Sequence, residues 1–276
     1  MTADFLQFDH VSKSFQADRK SSMLVLDDIS LQVKAGEFVV FLGPSGCGKT
    51  TLMRMVGGLE HPTKGQIFLE GDRITRTSRR QGMVFQSYSS FPWLTVYENV
   101  LFGMRYRRGL SRAAKQHRAL FYLDLMGLND VRNYYITQIS GGMQQRVALA
   151  RTLAADPDIL LMDEPFGALD AQTREFLQYQ LLNICQTEKK TVIFVTHDVE
   201  EAVFLGDRIL IFSARPAHII EDIQVSEFLL EDRTLATKES DAFFQLRNHI
   251  LDIVRVQAQQ AERPTHHSIP PKRSPQ

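Results

Sequence analysis

The stretch GPSGCGKTT, Gly43 to Thr51, packs three glycines, a lysine and two threonines between the apolar run EFVVFL and LMRMVGG. Those residue types at that spacing fit G-x-x-x-x-G-K-[ST], and the chemistry they suit is phosphate binding. Without side chains at Gly43, Gly46 and Gly48, successive backbone N–H groups can curl around an anion. A helix that follows directly turns its positive dipole end toward the same place. Lys49 is expected to reach the β- and γ-phosphates as a point charge, and the Thr50 hydroxyl to join the shell of a Mg²⁺ that bridges them. The expected ligand is a magnesium nucleotide held by Gly43, Pro44, Ser45, Gly46, Cys47, Gly48, Lys49, Thr50 and Thr51. Cys47 has no nearby cysteine, so it reads as a small residue lining that pocket and not as a metal ligand or redox group.

Two further stretches carry chemistry. ILLMDEP ends an apolar run in adjacent carboxylates, Asp163 and Glu164. At the carboxyl edge of an α/β sheet they would stand beside the phosphate loop. Asp163 suits a Mg²⁺ water shell, and Glu164 could polarise a water for in-line attack on the γ-phosphate. ISGGMQQR, Ile139 to Arg146, puts a serine and two glycines at the start of a helix, a second place where N–H groups and a dipole meet an anion. About ninety residues separate the two anion ends. From the residues alone they could face one nucleotide or two.

The elements that must position these groups follow from periodicity. Glu37–Leu42 reads as a buried strand and Thr50–Val56 as a helix closed by Gly57 and Gly58. Phe5–Val11, Ile29–Val33, Gln66–Leu69 and Gly82–Phe85 read as short strands, which makes the first third strand-rich. From Thr95 to about Met126 the pattern turns helical, interrupted by the basic patch Arg105–Arg108. A helix near Gly142–Ala155, the strand Ile159–Met162, a helix near Ala171–Glu188 and the strand Thr191–Val195 then alternate, which implies a parallel sheet covered by helices. Arg208–Phe212 and His218–Val225 would close the sheet. Ser240 to about Val256 is amphipathic, and residues 261–276 are expected to be a disordered tail.

The chain has 276 residues with 43% hydrophobic content, enough for one sizeable core and one nucleotide module. Lys+Arg and Asp+Glu both number 32, which argues against nucleic acid as a partner. The N-terminus lacks a leader pattern, and no apolar run reaches the eighteen or so residues of a spanning helix, so a soluble chain is expected. Two distant cysteines form no disulfide framework, which fits a cytoplasmic location.

Taken together these residues resemble the ATP-binding cassette (ABC) ATPases: Walker A at Gly43–Thr50, the signature at Ser140–Met143, Walker B at Ile159–Glu164, then Ala168-Leu169-Asp170 and His197, in the expected order. The resemblance spans roughly Phe5 to Val225. It implies an α/β fold of the ABC-type P-loop NTPase, with a mixed β core, an N-terminal antiparallel β portion and a helical subdomain at about 87–157. Residues 1–235 would form the ATPase domain and 236–260 a C-terminal helix. It also implies a head-to-tail dimer, with ATP and Mg²⁺ held between the Walker motifs of one chain and Ser140, Gly141 and Gly142 of a second copy. Phe15 would stack on adenine, Gln86 would sit near Mg²⁺ and the attacking water, Asp170 would line the dimer interface, and His197 would contact the γ-phosphate. The signature departs from the usual wording at Ile139 and Met143, while its Ser-Gly-Gly core is intact.

The segment SSFPWLTVYENVLFGMR resembles the region by which importer subunits for nitrate, sulfonate and taurine dock two transmembrane permeases, and DEPFGALD and SARPAHI are worded similarly. Phe91, Trp93 and Tyr97 supply apolar area suited to a partner's pocket. The resemblance implies a peripheral protein on the cytoplasmic face of the membrane, with a solute-binding protein delivering the cargo. An exporter's ATPase subunit or a soluble non-transport cassette would keep the same ATP site. The second would be expected to carry a basic surface, a coiled-coil insert or two cassettes in one chain.

Overall fold

The computed structural model of the chain describes residues 5–18, 21–85, 90–167, 169–229 and 233–262. Its centre is a six-stranded sheet in the order β10-β9-β3-β8-β7-β6. The strands are β3 (Phe38–Leu42), β6 (Gln81–Val84), β7 (Ile159–Asp163), β8 (Thr191–Thr196), β9 (Arg208–Phe212) and β10 (Ile219–Gln224). All neighbours run parallel except β10, which pairs antiparallel with β9 at the edge. A second sheet, β2-β1-β4-β5, is antiparallel throughout and is built from β1 (Leu6–Asp18), β2 (Ser21–Val33), β4 (Lys64–Leu69) and β5 (Asp72–Arg73).

Why the central strands are apolar end to end is visible in how their side chains divide. In β3, Phe38, Val40 and Leu42 point into one core while Val39 and Phe41 point into another, the period of two that a strand imposes. The first core also takes Leu160, Met162, Val192 and Phe194 and packs against helices; the second takes Ile159, Leu161, Ile193 and Val195 and packs on α1 (Lys49–Val56) and the antiparallel sheet. A strand covered on both faces cannot alternate with polar residues, so it reads as a continuous apolar run.

The helices are α2 (Val96–Gly103), α3 (Arg112–Leu125), α4 (Gly141–Ala155), α5 (Ala171–Glu188), α6 (Val199–Leu205) and α7 (Asp241–Glu262), besides α1. The expected helical stretch from Thr95 to Met126 is thus two helices. The first ends at Gly103 with Met104 as its cap, Gly109 at φ 84 lies in the connection, and the Ser111 hydroxyl, which accepts from the Ala114 N–H at 3.1 Å, starts the next. Asp156, left-handed at φ 54, closes α4 and joins Arg107 and Arg118 of the helical stretch to Lys190 at the foot of β8. Several elements exceed the expected bounds: β1 runs on past Val11 to Asp18, β2 begins at Ser21 and not Ile29, α6 follows His197 after its cap Asp198, and α7 runs to Glu262, past its expected end. Residues 263–276 of the expected tail lie outside the described residues, as do Gln86 and Ala168.

Candidate functional site: a phosphate-loop cleft

Strand β3 delivers the loop and α1 takes it away. Gly43, at φ 154, lies so close to β9 that a Cβ there would sit 2.8 Å from the Phe212 carbonyl oxygen; Gly48, at φ 129, lies equally close to Leu26. Both positions therefore need glycine for their backbone angles and for space. Lys49 opens α1 and is buried, its Nζ donating to the carbonyls of Gly43 at 2.7 Å and Pro44 at 2.8 Å, with Cys47 Sγ at 3.9 Å. The ammonium is thus held by the carbonyls of the loop it follows.

The Thr50 hydroxyl donates to Asp163 Oδ1 at 2.9 Å, joining the start of α1 to the end of β7. Burial raises the Asp163 carboxyl above its ordinary value, and the Thr50 hydrogen bond only partly opposes this. A group whose folded-state pKa is raised adds stability below its ordinary 3.8 and loses that stability as pH climbs through the raised value. At neutral pH the ionised carboxylate is therefore a cost to folding. Asp163→Asn keeps an oxygen for Thr50 and removes the charge. It is expected to raise the melting temperature by about 2 °C while lowering ATP hydrolysis by about 100-fold. Thermal melts and phosphate release measure the two effects separately.

Glu164 follows in the left-handed region at φ 45, with its N–H donating to the Val195 carbonyl at 2.9 Å. A non-glycine residue held there costs on the order of 1 kcal/mol or more and persists only where its surroundings fix it. The turn brings its carboxylate to His197, whose Nδ1 is 3.0 Å from Glu164 Oε1. A carboxylate oxygen accepts, so Nδ1 donates and the Nε2 edge of the ring is left facing outward. His197 is fixed from behind. Asp198 caps α6 by accepting from the Glu200 N–H at 2.8 Å and the Glu201 N–H at 3.2 Å. Buried Glu201 accepts from the Thr196 hydroxyl at 2.7 Å and the Gln178 amide at 3.1 Å, and burial raises its carboxyl.

These parts open into one cleft of about 410 Å³ lined by Phe15, Met23, Val25, Ser45, Gly46, Gly48, Lys49, Thr50, Thr51, Glu164, His197 and Arg215. The structure therefore brings Phe15 of β1, the phosphate loop, Glu164 and His197 to one place, with Asp163 beneath through Thr50. Cys47 is the correction: it is buried at 2% exposure in the core beneath the loop, so its thiol does not line the cleft as expected. Its N–H is engaged within the loop, 3.4 Å from the Pro44 carbonyl. Neither Gly43 nor Pro44 lines the cleft, although their carbonyls hold Lys49.

Ser140, Gly141, Gly142 and Asp170 stand apart from this cleft and share a different construction. The Ser140 hydroxyl caps α4 by accepting from the Met143 N–H at 3.3 Å, and Asp170 caps α5 by accepting from the Thr173 N–H at 2.9 Å. Hydrogen bonds from the Thr173 and neighbouring backbone hold the exposed Asp170 carboxyl below its ordinary value. A Cβ on Gly142 would lie 3.1 Å from Leu169, so the two helix starts adjoin.

The aromatic docking residues divide by burial. Trp93 is 70% exposed, whereas Phe91 is half-buried with its ring centroid 5.5 Å from Trp93 and 4.5 Å from Phe102. Tyr97 packs its ring against the core. Buried Asn99 shapes this loop, accepting from the Phe91 N–H at 2.8 Å and donating to the carbonyls of Phe91, Leu94 and Thr95. The sequence reading missed Met23, Val25 and Arg215 in the cleft and Asn99 in this loop. Met23 and Val25 belong to the unassigned half of β2, where the register sets Met23 opposite Phe15.

No helix among the described residues is long and apolar enough to cross a membrane. A family model described as ABC transporter matches residues 26–167. The chain is 42% identical to the nitrate import ATP-binding protein NrtD of Synechocystis, over 86% of this chain and 90% of that one. It is 42% identical to the aliphatic sulfonates import ATP-binding protein SsuB of Bacillus thuringiensis subsp. konkukian, over 89% of this chain and 94% of that one. Its fold is shared with a dimeric post-hydrolysis structure of the ATP-binding cassette MJ0796 bound to ADP and Pi, at a TM-score of 0.72 and 33% identity, covering 80% of this chain and 98% of that chain. The phosphate-loop cleft has the chemistry these likenesses call for, and the chain belongs to the ABC transporter family of ATP-binding proteins, with ATP hydrolysis as its reaction.

Proposed function

We propose that this chain is the energy-coupling ATPase of an importer for a small anionic or organic solute of the nitrate, sulfonate or taurine kind. Two copies close on two ATP, each nucleotide lying between the phosphate-loop cleft of one copy and Ser140, Gly141 and Gly142 of the other, with Asp170 at the contact. One observation supports this reading: two helices start at glycine-bearing stretches suited to an anion, at Lys49 and at Gly141, and the cleft that holds Glu164 and His197 is lined by the first stretch and not the second. In the proposed dimer the second start meets the nucleotide of the other copy's cleft.

At the floor of the cleft, Thr50 and the buried Asp163 beneath it supply two hard oxygens 2.9 Å apart, a donor set that fits Mg²⁺. Bound there, the ion would neutralise charge on the β- and γ-phosphates. Glu164 accepts the proton of the attacking water, His197 holds Glu164 and contacts the γ-phosphate, Lys49 leaves the loop carbonyls for the phosphate oxygens, and Phe15 stacks on adenine. Gln86, outside the described residues, is the residue we expect to serve Mg²⁺ and the attacking water. Residues 1–235 act as the cassette, with a helical subdomain at about 87–157. Exposed Trp93, standing on Phe91, meets the permease at the cytoplasmic face of the membrane. Differential affinity for ATP between closed and open dimers shifts the permeases between orientations.

Affinity capture of the chain from its native membrane tests this. Recovery of two hydrophobic permease proteins, in an assembly whose ATPase activity rises with a secreted binding protein and its solute, is expected. Recovery without any membrane protein contradicts the transport role. Trp93→Ala is expected to reduce permease recovery by about tenfold, a large truncation at an interface anchor, while leaving ATP binding intact.

A further inference from the structure

The loop between β9 and β10 is not a loose connection. Ser213 is buried, its hydroxyl accepting from the His218 N–H at 3.0 Å and lying 2.9 Å from the Ala214 carbonyl that it donates to. Buried Ala217 donates to the Val25 carbonyl at 2.8 Å and accepts from the Asp27 N–H at 3.0 Å, which ties the loop to β2. From the opposite side Gln257 of α7 accepts from the Ala214 N–H at 3.3 Å. Fixed on both sides, the loop presents Arg215 to the nucleotide cleft. There its guanidinium donates through Nη2 to the Gly46 carbonyl of the phosphate loop and reaches Met23 Sδ through Nη1 at 3.2 Å. Met23 is the residue opposite Phe15 across β1 and β2.

Two features separate Arg215 from an ordinary surface arginine. No carboxylate among the described residues pairs with it, although it is fixed by backbone and sulfur contacts. The cleft lining holds one lysine and one arginine, Lys49 at the phosphate end and Arg215 reaching from Gly46 to Met23, which stands at the end that holds Phe15. A planar guanidinium donates as a fork and also packs face-on against aromatic rings.

We propose that Arg215 is a nucleotide-binding residue that grips the nucleoside end of ATP. Its plane packs on the base alongside Phe15 and Met23 while Nη2 keeps its bond to Gly46, so one side chain links base recognition to the shape of the phosphate loop. This rests on the cleft being the ATP site, and the test distinguishes the two claims. Calorimetric titration of the full chain with MgATP, MgADP and Mg-tripolyphosphate is compared for wild type, Arg215→Ala and Arg215→Lys.

Arg215→Ala is expected to weaken ATP and ADP about tenfold, the loss of one contact to a charged group at an exposed site, and to leave tripolyphosphate affinity within about twofold. Arg215→Lys, with charge but no planar fork, is expected to recover only part of the loss. Unchanged ATP affinity in Arg215→Ala overturns the proposal, as does an equal loss for tripolyphosphate, which would reduce Arg215 to a brace for the phosphate loop. A wild-type chain that binds tripolyphosphate but not MgATP overturns the nucleotide reading of the cleft together with it.

Discussion

Glu164→Gln is expected to bind MgATP within about twofold of wild type and to lose about 10³-fold in steady-state hydrolysis, since general bases contribute about 10² to 10⁴. The substitution preserves shape and an oxygen for His197, so the left-handed turn at φ 45 and the 3.0 Å contact survive while the proton acceptor is lost. In the proposed site, binding rests on other groups: the loop N–H groups, Lys49 and Thr50. Loss of binding and hydrolysis together would show that Glu164 shapes the cleft. Wild-type turnover would remove it from the role of base. Single-turnover phosphate release, beside filter binding of ATP, separates the cases.

Lys49→Met is expected to lower MgATP affinity about 100-fold, the removal of charge-assisted bonds to phosphate worth about 3 kcal/mol. Methionine retains most of the buried stem, so the melting temperature without nucleotide should change by less than about 3 °C. The Gly43 and Pro44 carbonyls lose their donor, which sets that limit. Hydrolysis at saturating ATP should also fall, because the same charge meets the γ-phosphate as it leaves. A variant that binds ATP normally would place the ammonium permanently on the loop carbonyls and away from the triphosphate. A variant that melts far below wild type would make Lys49 structural.

The parts of this site that could be read from the chain are those whose physics is local. The loop Gly43 to Thr51 carries its own backbone requirements, and the runs around Val39, Leu160 and Ile193 are apolar because both faces of the central sheet are covered. Ser140 and Asp170 are helix caps, a role their residue types announce. What escaped depended on distant chain segments. Asp27 and Asp28 interrupt the apolar pattern of β2, and Asp28 takes φ 49 there, so the strand that carries Met23 and Val25 was shortened.

Arg215 reaches Gly46 only because Ala217 bridges to β2, a contact between residues far apart in sequence that no periodicity encodes. A residue inside a phosphate loop can turn inward, as Cys47 does: its backbone belongs to the loop while its thiol belongs to the core. The split between α2 and α3 was blurred by apolar spacing that continues across Gly109, since both helices bury residues in the same core.

The proposed function requires a nucleotide shared between two copies. The most direct measurement is the solution mass of Glu164→Gln by light scattering, with and without MgATP. The expected result is a shift from the monomer's 31.5 kDa to twice that mass with ATP, reversed by Ser140→Arg, which places a bulky cation at the helix start meant for the partner's γ-phosphate. A species that remains at 31.5 kDa with the cleft saturated by ATP would contradict it.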